Sequence, residues 1–98
     1  MLEKLSADNF EDLTGQAFHF THEHLPDTEA RLVQVQPLSD QPGPAGRTPF
    51  SLLFACDQHA EPVQSVFHLE HEALGGLDVF LVPVGRDERG LLLEAVFT

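Results

Sequence analysis

Apolar positions along this chain recur at helical spacing only once, near the start, and then alternate with a period of two through most of the remaining length. In the first segment Ser6 is a good N-cap. Leu5 and Phe10 occupy the N′ and N4 positions of a hydrophobic staple, and Gly15 stops the turn. Leu5, Phe10 and Leu13 then share one face, which suits a short helix that closes over the end of a sheet as a lid or plug.

After Gly15 the alternation predicts strands. Ala17 to His22 sends Phe18 and Phe20 to one face. Ala30 to Gln36 offers Val33 and Val35 on one face and Gln34 and Gln36 on the other, before Pro37 removes a ladder donor. Phe50 to Cys56 places Phe50, Leu52, Phe54 and Cys56 opposite Leu53 and Ala55, the pattern of a central strand. In Ser65 to His71, Phe67 and Leu69 face in while His68 and Glu70 face out. Ala73 to Gly76 supplies a hairpin connection to Leu77–Val84, and the charged turn Gly85 to Gly90 leads to Leu91–Phe97.

The C-terminal hairpin is apolar on both faces. Setting Phe80, Val82 and Val84 against Leu91, Leu93, Ala95 and Phe97 makes it the expected centre of the core, covered on both sides. The stretch from Ser39 to Pro49 carries Pro42, Pro44 and two glycines without a large apolar residue, so it is expected to be a mobile loop. The expectation is a mainly β fold in one domain over residues 1–98: a small antiparallel six-stranded barrel or sandwich with one short N-terminal helix. Periodicity does not choose between barrel and sandwich.

Charge narrows the partners. Sixteen acidic against five basic residues, a net charge of −11, would repel a phosphate backbone or an anionic membrane while admitting a basic protein surface or a cation. Eight Phe residues and a 42% hydrophobic fraction nonetheless favour a folded chain. Cys56 has no cysteine partner and lies in an apolar run, as a buried thiol would. The opening residues Met1 to Lys4 lack the character of a secretory signal, and no apolar run approaches the roughly 20 residues of a membrane span, so a cytoplasmic location is expected.

Four segments then carry a resemblance: Pro49-Phe50-Ser51-Leu52-Leu53-Phe54, Leu69-Glu70-His71-Glu72-Ala73-Leu74-Gly75, Phe80-Leu81-Val82-Pro83-Val84-Gly85 and Glu94-Ala95-Val96-Phe97. With Phe10-Glu11-Asp12-Leu13-Thr14-Gly15-Gln16-Ala17-Phe18 they cover nearly the whole chain outside the proline-rich loop. In these the chain resembles a family of bacterial proteins of roughly a hundred residues, known as a domain of unknown function and often encoded near phage-tail-collar or tail-fibre-like genes. The resemblance implies an accessory or structural role and carries over no catalytic residue.

Candidate chemistry centres on six histidines. His19, His22 and His24 lie close together, and His22 with His24 could form half of a metal site if the strand continued that far. No HExxH, cysteine ligand or second fixed-spacing pair accompanies them, and an exposed strand end is the simpler reading. Alternation sends His68 and Glu70 to one face and His71 to the other, where a strand-end imidazole typically bonds a turn backbone group. Ser51 and Cys56 lie within a strand without a glycine elbow, Gly75-Gly76 precedes a strand and not a helix, and Asp87-Glu88 reads as a solvated hairpin tip. No catalytic, cofactor-binding or metal residue is therefore assigned, and no cofactor is expected. The expected function is a non-enzymatic structural or protein-interaction module, an accessory of a phage-tail-like or surface-fibre assembly, working through a sheet edge or loops as a monomer or small homo-oligomer. The alternative is a small β-barrel metal-binding protein or enzyme using strand-end histidines.

Overall fold

A computed structural model describes residues 6–44 and 46–98. The chain opens with helix α1 (Ala7–Glu11), followed by β1 (Ala17–Thr21), β2 (Thr28–Pro37), β3 (Phe50–Cys56), β4 (Ser65–His71), β5 (Gly75–Asp87) and β6 (Gly90–Phe97). Ser6 holds the extended backbone of an N-cap, and its N–H donates to Asn9 Oδ1 at 2.8 Å. Asn9 here takes the return half of the capping box. Leu5 of the expected staple lies outside the described residues, but Phe10 is wholly buried and Leu13 packs against the core.

The strands close into an antiparallel barrel in the order β1-β2-β3-β6-β5-β4, with β1 joined back to β4. This settles barrel over sandwich, and the two longest strands show why. Residues 28–31 of β2 pair with β1 while residues 31–37 pair with β3, and the ladder slips by one residue at Val33. Likewise residues 75–81 of β5 pair with β4 and 82–87 with β6, with a slip at Val84. A bulge bends its strand and increases the local twist, so each long strand serves two neighbours on different sides of the barrel.

Two sequence expectations are corrected by this pairing. In β2 the inward residues are Ala30, Leu32 and, beyond the bulge, Val35, while Val33 is the extra residue at the bulge, so Val33 and Val35 do not form one continuous face. In β5 the inward set is Leu77, Val79 and Leu81, while Phe80 and Val84 are half exposed on the outside. The cause is the neighbouring strand: inward-facing Phe67 and Leu69 of β4 pair directly with Val79 and Leu77, and opposed residues in an antiparallel ladder share a face. The hairpin is thus covered on one face only. Its turn is also tighter than the glycine spacing suggested, because Gly85 to Asp87 continue β5 and Gly90 already begins β6. Inward Leu91, Leu93, Ala95 and Phe97 of β6 and the almost fully buried β3 agree with their expected central place.

The barrel has two unlike ends. Where β3 begins and β6 ends, Phe50 and Phe97 stack with centroids 4.9 Å apart, and Phe10 of α1 covers both at 5.8 and 5.6 Å. The helix is the expected plug. At the other end lie the β1–β2, β3–β4 and β5–β6 connections, and there the core is open to a recess.

Candidate functional site

The recess at the open end has a volume of about 380 Å³. Its floor is Phe67 of β4, Leu81 of β5 and Leu91 and Leu93 of β6, the same side chains that form this end of the core. Residues 25–28 form one wall and residues 57–63 of the β3–β4 connection the other. Side chains from these irregular segments have no periodic signal, which is why sequence reasoning missed the site.

The second wall is pinned in place. Arg86 of β5 donates from Nη1 to the carbonyls of Gln58 at 2.6 Å and Ala60 at 3.3 Å, and Gln58 Nε2 donates back to the Asp87 carbonyl at 2.7 Å. Asp57 Oδ1 accepts the His59 N–H at 2.8 Å, closing the first turn of the connection. The rim carries the carboxylates of Asp27, Asp57 and Glu61 with His59, and among the described residues neither Lys nor Arg lines the recess. Cys56 also borders it. Burial, aided by Asp57, pushes its thiol pKa up, so the sulfur there is a protonated, weakly nucleophilic group.

A second feature lies on the outside. Val66 and Phe80 are cross-strand partners, and two residues beyond the Val82–Glu94 pair stand Phe80 and Val96, which line one shallow depression with Arg47, Asp78 and Thr98. Val66, Phe80 and Val96 are each about half exposed, at 54%, 50% and 54%. Such side chains on neighbouring strands form a contiguous apolar strip, whereas scattered surface valines would mean little. Carboxylates border it: Asp78 and Glu70 on one side, and Glu94 between Val82 and Leu53 on the other.

The histidines do not converge. Strand β1 ends at Thr21, before His22. The His24 N–H donates to His22 Nδ1 at 3.0 Å, leaving His22 Nε2 to donate to Ser65 Oγ at 3.0 Å. His19 stands 3.6 Å from Asp27 on the barrel exterior. On β4, His68 Nδ1 bonds Asp78 at 2.9 Å, with Glu70 3.7 Å from its Nε2, and these carboxylates raise the imidazole pKa, the Asp78 hydrogen bond contributing most. His71 accepts the Ala73 N–H at Nδ1 and bonds Gln16 Oε1 through Nε2 at 2.8 Å, beside the Phe18 ring: the strand-end role its position suggested. Among the described residues, no three His, Cys, Asp or Glu side chains are grouped to hold a metal ion. Asp87 and Arg89 form their own ion pair at 2.7 Å at the hairpin tip.

The fold and these surfaces define a small closed antiparallel β-barrel, plugged at one end by a helix and open at the other, with an apolar strip on its outer wall. Its family is shown by the sequence: the chain belongs to the domain of unknown function DUF6916, whose profile matches residues 5–97. No curated protein and no solved structure matches it. Among the described residues, no helix is long and apolar enough to cross a membrane.

Proposed function

We propose that this barrel is a non-enzymatic protein-interaction module that docks a partner on the outer wall of β4, β5 and β6. The observation that carries the reading is the strip Val66–Phe80–Val96, exposed where ordinary strand alternation would place polar residues. The sequence suggests docking through a sheet edge or loops; closure gives every strand two neighbours, and the exposed strip makes the sheet face the favoured surface. An aromatic flanked by valines is the usual centre of a binding surface, and its border, where Asp78, Glu70 and Glu94 outnumber Arg47, calls for a partner with an apolar centre ringed mainly by Lys or Arg. A second copy of this chain fits poorly, since each copy carries a net charge of −11.

The resemblance to proteins encoded near tail-collar and tail-fibre-like genes makes an accessory role in a phage-tail-like or surface-fibre assembly the favoured setting. The metal-binding alternative draws no support from His22, both of whose ring nitrogens are engaged within the protein. The test is direct titration of the adjacent gene's product, by calorimetry, against the parent and Phe80→Ser. Loss of roughly tenfold or more in affinity on Phe80→Ser, with binding that weakens as salt rises, is expected. Equal binding by both proteins, or recovery of only metabolic enzymes from the native host, counts against the docking role.

A further inference from the structure

The open end of the barrel is a site of a different kind from the outer wall, and its chemistry selects a different ligand. Phe67, Leu81, Leu91 and Leu93 give the recess an apolar floor, and 380 Å³ lies near the lower end of the roughly 300–1,000 Å³ typical of small-molecule sites. An apolar body of modest size therefore gains by leaving water there. Above the floor carboxylates prevail, and the one guanidinium nearby, that of Arg86, is bound to the main-chain carbonyls of Gln58 and Ala60 in the wall. Asp27, Asp57 and Glu61 rim the opening, and among the described residues that line it His59 is the sole basic side chain. Glu61 has no ion-pair partner among the described residues, the Asp57 carboxylate accepts the neutral His59 N–H, and Asp27 stands 3.6 Å from the His19 ring.

The wall that carries Asp57 and Glu61 is preorganised. Arg86 and Gln58 tie it to β5 through three hydrogen bonds to main-chain carbonyls, so the rim carboxylates are presented without first ordering a loose loop. We propose that the barrel mouth binds small cationic amphiphiles, primary amines with a single apolar tail or ring, with the apolar part on Phe67, Leu81 and Leu93 and the ammonium among Asp27, Asp57 and Glu61. An anionic head group on the same tail would meet the same three carboxylates and be rejected. The site is independent of the outer strip, so either reading can fail alone.

The matched probes n-octylammonium, n-octanol and n-octanoate, titrated into the full chain at neutral pH and followed by methyl NMR, test it. The expected order is octylammonium tightest, octanol weaker and octanoate without saturable binding, with shifts at Leu81 and Leu93 and none at Val66 or Val96. The pair Asp57→Asn and Glu61→Gln should cost octylammonium about tenfold in affinity while leaving octanol unchanged. Val63→Trp, a change on the connection and outside the buried core, should block octylammonium and octanol alike, and it places the only indole of the molecule at the site as a fluorescent reporter. Octanoate binding as tightly as octylammonium would overturn the proposal. So would shifts confined to the outer wall, no saturable octylammonium binding, or a double variant that loses octanol and octylammonium alike.

Discussion

Where β3 begins and β6 ends, three phenylalanines fill the barrel, whereas the far ends of the same two strands finish in Cys56 and Leu91 beneath an open recess. The plugged end is held by side-chain packing. Phe10, Phe50 and Phe97 come from three separate segments and gain only by excluding water together. The open end is held by polar bonds to main chain, chiefly from Arg86 and Gln58 to the β3–β4 connection. Packing of the first kind leaves no room for a guest, while walls of the second kind enclose open space, so the packed core and the recess lie at opposite ends.

The largest test of this division is Phe10→Ala. Removing a fully buried ring from the plug should cost about 3–5 kcal/mol, a large share of the ~5–15 kcal/mol that holds a domain together. Thermal melts check it, and an unchanged melting temperature would mean that α1 is not a structural plug. At the open end the sharpest backbone requirement is Gly90, whose φ of +127° is unfavourable for other residues and whose position leaves no space for a β-carbon against the Cys56 carbonyl. Gly90→Ala is expected to destabilise by about 2–3 kcal/mol, read by chemical denaturation, through strain at the β3–β6 junction.

Arg86→Ala separates loop anchoring from barrel stability. It should cost only about 1–2 kcal/mol globally, yet raise amide exchange across residues 57–63 while the amides of β3 and β6 stay protected. Uniform faster exchange through the barrel would show that the mouth and the core are one cooperative unit. The smallest effect concerns His68, on the wall between the ends. Its folded pKa is raised above 6.5, first by the Asp78 hydrogen bond and then by the nearby carboxylate charges. The linked stabilisation is fully present below pH about 6.5 and is lost as pH rises through the raised value. NMR titration of the His68 ring should give a midpoint above 6.5 that falls in Asp78→Asn. An unmoved midpoint would remove Asp78 as the cause.

The sequence by itself determined the order and approximate extent of the helix and six strands, the burial of Phe10, Phe18 and Phe20, and the central place of β3 and β6. These follow from local patterns: a cap followed by helical spacing, or one apolar alternate facing one polar alternate. It could not determine which face of β5 turns inward, because Leu77, Val79 and Leu81 compete with Phe80, Val82 and Val84 as equally apolar sets. Tertiary pairing with Phe67 and Leu69 decided that choice, and so exposed Phe80. Closure was likewise decided beyond local sequence, by bulges at Val33 and Val84 and by the pairing of His19 to Thr21 with His68 to Glu70 far along the chain. The mouth was least legible of all. Its floor belongs to the strands, but its walls and charges come from connections whose residues meet only after the barrel has brought their ends together.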